Sequence, residues 1–216
     1  MSGDSGFTGQ ALAHDVTLIV VRHGQTDWNA VARLQGRQDI PLNALGRAQA
    51  RGNGRALGEW AKTEARDLAR FRFVSSPLSR ARETMELLRG EAGLAPNDYT
   101  RDTRLEELTF GDWEGLTLKE LKVQDPTGHA GRKANRWGHV PPNGESYEML
   151  SKRIAGWLET VDRDTVSVSH GGVLRVLFGL ICGVADTEVP TLPAHQDRFV
   201  VFSGQSARWY PAVEAP

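Results

Sequence analysis

The chain has 216 residues, of which 39% are hydrophobic and 25% charged, with a net charge of −1 and one cysteine. That length and composition suit a globular domain that buries its core without disulfides or metals. The near-zero charge gives no reason to expect nucleic acid or an anionic membrane as partner, and no segment approaches the roughly 20 apolar residues of a membrane span.

In chain order, residues 1–15 (MSGDSGFTGQALAHD) are Gly/Ser-containing and lack the pattern of a secretion signal. They are expected to form a flexible leader before a single domain over 16–216, with the cytoplasm as default location. TLIVV (17–21) is an apolar, β-branched run that predicts a strand covered on both faces. RAQARGNGRALGEW, near residues 47–60, reads as part of a helix, and FRFVSS (71–76) as a second strand. The next helix is expected to start with Ser76 as N-cap and Pro77 as its first residue, with Leu78, Ala81, Met85 and Leu88 forming one apolar stripe. Residues 118–143 hold Gly, Pro and polar residues and support no assignment. A helix is predicted over about 144–161, then a strand at TVSVS (165–169) and a strongly apolar helix after Gly172. Cys182 falls in that apolar run and reads as a buried, inert thiol. RFVVF (198–202) and ARWY (207–210), separated by Ser-Gly-Gln-Ser, predict a closing hairpin. The β–α alternation predicts an α/β fold.

The chemistry gathers where strands end. Arg22-His23-Gly24 follows the first strand and His170-Gly171-Gly172 follows TVSVS. Ligands of open parallel sheets bind beyond the carboxyl ends of the strands, so the two histidines are expected to meet at one edge. Either alone fits a core histidine satisfied by hydrogen bonds; two at matching strand ends fit a site. Gly24 and Gly171 would let the backbone approach a ligand closely.

Arg80 and Arg82 lie in the first turns of the helix near Pro77, where the helix end is already electropositive. A bound anion there would reverse the penalty, and Arg80 is the better candidate, with Arg82 reaching solvent. In RLEELTFGDWEG (104–115), Glu106 and Glu107 are neighbours, so only one can enter a pocket from extended backbone. An acid beside apolar groups can serve as a proton donor near neutral pH.

Six ordered blocks resemble the histidine phosphatase superfamily, also called phosphoglycerate mutase-like. They are Arg22-His23-Gly24 with Thr26 and Asn29, LQGRQDIPLNALG (34–46), SSPLSRARET (75–84), LEELTFGDWEG (105–115), PPNGES (141–146) and VSHGG (168–172). The resemblance implies a three-layer α/β/α fold with a mostly parallel central sheet flanked by helices. It implies His23 as the nucleophile that takes the phosphoryl group, surrounded by Arg22, Arg80 and His170. Asn29, Gln35, Gly36 and Gly171 would join the phosphate site, and Glu107, four residues before Gly111, would be the proton donor with Glu106 facing away. No metal or cofactor is implied.

The implied activity is that of a histidine acid phosphatase-type phosphoric monoester hydrolase acting on a small phosphorylated metabolite, with a homodimer as a family-level possibility. Mutases share this core, but those with a bisphosphate cofactor carry a longer insertion before the PPNGES block, with adjacent arginines. Here that region offers only Arg132, Lys133 and Arg136, and FGDWEG resembles the hydrolase form. Those three cations read as a solvated basic loop or as a second anion site, and Trp113, Trp137 and His139 as mouth or packing residues. A phospholigand-binding protein without turnover is the other class to consider. Metal-hydrolase, P-loop, dinucleotide and serine-elbow patterns do not match.

Overall fold

A computed structural model describes residue 12 and residues 15–214. The leader expected over 1–15 lies outside the described residues except for Leu12, which is buried, and Asp15.

The sheet has six short strands, and the central ones alternate side chains between two apolar faces. Its strands are β1 (Thr17–Arg22), β2 (Arg72–Ser75), β3 (Thr100–Arg101), β4 (Thr165–Ser169), β5 (Arg198–Ser203) and β6 (Ser206–Pro211). Their spatial order is β3-β2-β4-β1-β5-β6. The pairings among β3, β2, β4 and β1 are parallel, and the β5–β6 hairpin continues the sheet antiparallel. β3 has no counterpart in the sequence reading, because two residues are too few to show periodicity.

Helices cover both faces, as central parallel strands require. Leu18 and Val20 point to one side, against Leu150 and Ile154 of α6 (Tyr147–Leu158) and Leu174 and Leu177 of α7 (Gly171–Cys182). Ile19 and Val21 point to the other, against Leu57 and Trp60 of α2 (Ala44–Thr63) and Met85 and Leu88 of α3 (Ser79–Glu91). The result is the three-layer α/β/α arrangement. Cys182, at the end of α7, is half-buried, and burial pushes its thiol pKa up. No helix among the described residues is long and apolar enough to cross a membrane.

Three elements fall in stretches that the sequence reading left open. α1 (Asp27–Ala30) is one turn closed by a capping box at Thr26 and Asn29. α4 (Leu118–Gln124) and α5 (Pro126–Ala134) fill the unassigned middle. Their signals were present: a Thr117/Glu120 capping box starts α4, and Asp125 caps α5 with Pro126 at its first position.

The start of α3 differs from expectation. Its N-cap is Leu78, which makes no side-chain cap bond. The N–H and hydroxyl of Ser79 instead donate to one oxygen of Asp39, at 2.8 and 2.7 Å. The anion at this helix end is therefore a carboxylate of the chain itself, and Ser76 is free for another partner.

Candidate active site

Register places the two histidines together. β1 and β4 are parallel neighbours with Arg22 opposite Ser169, so His23 and His170 leave the sheet side by side. Their ring centroids are 5.1 Å apart at 60°, and both are buried. β2 ends on the same edge, where the Ser76 N–H donates to the Val168 carbonyl (3.0 Å).

His23 is fixed as one tautomer. Its Nδ1 lies 2.7 Å from the carbonyl of Gly24, which can only accept, so Nδ1 carries the proton and Nε2 the lone pair. Burial, then Arg80 and Arg22, hold its pKa well below 6.5, keeping the ring neutral. The loop beneath it is tight: a Cβ on Gly24 would overlap the Gly46 carbonyl in the first turn of α2. The Gly24 N–H donates to Thr84 Oγ1 (3.1 Å), and Gln196 Nε2 donates to the His23 carbonyl (3.1 Å).

Arg80 is held on three sides. Its Nη1 donates to the Gln38 carbonyl (2.6 Å) and its Nη2 to the Gly36 carbonyl (2.7 Å), while Nε lies 3.3 Å from His23 Nε2. The Gln35 amide suits Arg80 and Thr26 when its oxygen accepts from Arg80 Nε and Nη1, both at 2.9 Å, and its NH2 donates to Thr26 Oγ1 at 2.7 Å; the opposite orientation would instead accept from Asn29 Nδ2 at 3.3 Å. Arg22 Nη1 donates to the Ala194 carbonyl (2.5 Å), and its Nε is buried without a partner. Burial pushes both guanidinium pKa values down to about 10, so both stay charged at neutral pH.

His170 Nε2 lies 2.7 Å from Ser76 Oγ, which in turn accepts from the Leu78 N–H at 3.4 Å. Its Nδ1 is buried with no partner. Burial, then Arg80, lowers its pKa well below 6.5. Glu107 faces this group from the other side, and Oε1 and Oε2 accept from the Gly172 N–H at 3.1 and 3.0 Å. Oε1 also accepts from the Leu108 N–H (3.0 Å). Glu106 turns away to pair with Arg37 (3.4 Å).

Arg22, His23, Arg80 and Glu107 border one cavity of about 190 Å³, which also touches Asn29, Gln35, Gly36, Gly171 and Gly172, whereas His170, fully buried beside His23, does not line it. Asn29 Oδ1 accepts from the Thr26 N–H (3.2 Å) and Gln196 Nε2 (3.1 Å), leaving its NH2 for the cavity. A larger depression, about 340 Å³, lies at the β3 edge among Arg72, Arg101, Arg104 and Arg163, and its lining includes no histidine or cysteine.

Several expectations change in detail. A Cβ on Gly171 would make only ordinary contacts, whereas one on Gly172 would overlap Glu107 Oε1. The close approach therefore belongs to Gly172. Trp113 is buried with its indole N–H on Asp125 (3.1 Å) and stacks on His139, and Trp137 stacks on Tyr147; all three are packing residues. Arg132 and Arg136 line the cavity and Lys133 is exposed, so the 132–136 stretch is not simply a solvated loop. Arg82 is only half-exposed, with Nε buried.

Sequence reasoning missed Ser76 as a partner of His170, and Arg33, Tyr147 and Arg175 as cavity residues. Arg175 had a visible signal, as the one charge in GGVLRVLFGLIC.

Among the described residues, no group of three or more His, Cys, Asp or Glu side chains is placed to hold a metal ion.

Comparison with known proteins agrees with this architecture. The chain is 33% identical over 174 residues to a Bacillus subtilis protein described as an uncharacterized phosphatase, PhoE, covering 76% of each chain. It is 31% identical to the 2,3-bisphosphoglycerate-dependent phosphoglycerate mutase of Beijerinckia indica, covering 82% of this chain and 86% of that one. The structure of a mycobacterial glucosyl-3-phosphoglycerate phosphatase, solved with VO3, superposes with a TM-score of 0.71 at 30% identity, over 93% of this chain and 100% of that one. Residues 18–212 match the profile of the histidine phosphatase superfamily, branch 1, and the chain belongs to that superfamily.

Proposed function

We propose that the chain is a metal-independent phosphomonoesterase that works through a phosphohistidine on His23. The observation that carries this reading is the neutral His23 ring, with Nε2 unprotonated and held beside Arg80 on a cavity that Arg22 and Glu107 also line. A bound phosphoryl group would replace the imidazole as acceptor for Arg80 and receive the unpartnered Arg22 Nε–H.

In the first step Nε2 of His23 attacks phosphorus, the P–N bond forms and the P–O ester bond breaks. Protonated Glu107 gives its proton to the departing ester oxygen. In the second step Glu107 takes a proton from water as that water attacks phospho-His23, releasing inorganic phosphate and restoring the ring. Charge in the transition state spreads over the equatorial oxygens, so Arg22 and Arg80 supply most of the help. His170, beside the His23 ring, would contribute as a donor if the Ser76 hydroxyl gives its hydrogen to Nε2, because the His170 proton then sits on Nδ1.

Transfer to a second hydroxyl of the substrate, the mutase reaction, is the competing reading. A mutase is among the relatives. The absence of adjacent arginines argues less strongly against it now that Arg132 and Arg136 line one cavity. The test is a panel of phosphorylated metabolites with and without chelator, including 3-phosphoglycerate with its bisphosphate primer. Phosphate release that survives chelator, with one phosphoryl group on the quenched enzyme and none on His23→Ala, is the expected result. Isomerisation exceeding phosphate release would replace hydrolase by mutase; a folded protein releasing no phosphate and isomerising nothing would leave a binding protein.

A further inference from the structure

The outer wall of the cavity carries positive charge that the phosphoryl chemistry does not use. Arg132 sits in the last turn of α5, Arg136 just beyond it, and Arg175 on the first turns of α7. Burial lowers the Arg132 pKa, with the Arg136 and Arg175 cations adding to the effect. Arg33, on the same wall, is neutralised by Glu120 at 2.8 Å. No carboxylate among the described residues lies within ion-pair distance of the other three. Among the described residues, Arg136 Nε is buried without a partner, and Arg175 donates to the Leu192 carbonyl (2.7 Å) and the Tyr147 hydroxyl (3.4 Å).

Like charges gathered in a partly buried wall repel each other and lose hydration, so without an anion the arrangement is unfavourable. The wall also adjoins the phosphoryl pocket. A Cβ built on Gly171 would lie 3.4 Å from both Arg22 Nε and Arg175 Nη1, which makes the two guanidinium groups neighbours across that glycine.

Resting on the phosphatase reading, we propose that Arg132, Arg136 and Arg175 form a second anion subsite, so that the preferred substrates are phosphomonoesters bearing another acidic group close to the phosphate. Guanidinium planes favour bidentate oxygens, so a carboxylate or a second phosphate satisfies the subsite and a hydroxyl does not. Neutral-tailed phosphomonoesters would fill the inner pocket and leave these cations uncompensated.

The test compares 3-phosphoglycerate, glycerol 3-phosphate and propane-1,3-diol bisphosphate, which share a three-carbon frame and differ in the second group. For the wild type, kcat/KM is expected to favour either doubly acidic compound over glycerol 3-phosphate by about tenfold or more, as a charge-assisted contact allows. In the Arg132→Gln/Arg136→Gln variant that ratio should fall towards one, and an Arg175→Gln variant should move it the same way. Equal hydrolysis of all three by the wild type, or a preference unchanged in these variants, would overturn the subsite. The carboxylate and bisphosphate arms show which acid the wall accepts. Binding of the same compounds to His23→Ala by calorimetry separates this inference from the phosphatase reading. If the wild type hydrolyses nothing, a preference in Kd that the arginine variants lose still supports the subsite, and no preference refutes it.

Discussion

The inner and outer halves of the cavity are both lined with guanidinium groups, but they are anchored differently. In the inner half, Arg80 is fixed by two backbone carbonyls and Gln35, and His23 by the carbonyl of its own neighbour. These anchors come from strand ends and tight loops under both layers of helices. In the outer half, Arg132 and Arg136 extend from a short helix and the turn after it, with no side-chain hydrogen bond to set their direction among the described residues. The inner half is suited to a reaction whose charge pattern is always the same; the outer half can adjust to differently shaped anions. Preorganised cations stabilise a developing charge without reorganising, whereas adjustable ones mainly select what enters.

The largest expected effect tests the inner half directly. His23→Ala should lower kcat by about 10⁴-fold or more, since a lost nucleophile is not replaced by its neighbours. A turnover number near that of the wild type would sink the phosphohistidine mechanism. Glu107→Gln should cost about 10²–10⁴-fold on an alkyl phosphate, the usual range for general acid–base catalysis. On p-nitrophenyl phosphate the first step should lose far less, because nitrophenolate leaves without a proton; burst amplitudes resolve that step. Equal losses in the first step for both substrates would remove Glu107 as the acid.

Arg80→Lys sharpens the comparison. An ammonium cannot reach the acceptors of Arg80 in its planar fork, so kcat should fall about 10²-fold, as for a lost transition-state donor. Arg136→Lys should cost an order of magnitude less, because nothing fixes its direction. Similar losses at both positions would erase the distinction between the two halves. Ser76→Ala should reduce kcat by about tenfold, with KM less affected, if the hydroxyl sets the His170 tautomer by a net bond of about 1 kcal/mol or more. The His170 imidazole nitrogen shifts in NMR report this independently, and unchanged shifts would reduce Ser76 to packing.

The smallest effect is on stability. His23 and His170 have folded pKa values well below their unfolded values near 6.5. Below that pH the unfolded chain binds protons that the folded one refuses, so stability is lost as pH falls from 6.5 towards the folded pKa values. Each imidazole contributes a slope of up to about 1.4 kcal/mol per pH unit. Urea midpoints at pH 7.5 and 5.5 should therefore differ more in the wild type than in His170→Gln, and equal differences would mean that His170 is not buried neutral.

How much of this was legible in the sequence depended on how local each cause is. The paired strand ends were readable because β-branched runs stop at His23 and His170, and parallel register then brings them together. Glu107 and Arg80 were readable through the motif blocks. Ser76 was misread as a helix cap, because its proximity to His170 arises from β2 lying beside β4 and leaves no mark in the sequence. Exchanging Gly171 for Gly172 as the constrained glycine needed the position of Glu107, which arrives from a loop 65 residues away. The α4–α5 pair could have been found from its caps, and with it the orientation of Arg132 into the cavity rather than into water.

The contact between Gly24 and Gly46 has a consequence for redesign. A Cβ at either position would overlap backbone, on the Gly46 carbonyl in one case and the Gln25 carbonyl in the other. No compensating change in a neighbouring side chain can make room, because main chain is what stands in the way. A combinatorial library aimed at new selectivity should hold both positions invariant and spend its diversity on residues 132, 136 and 175.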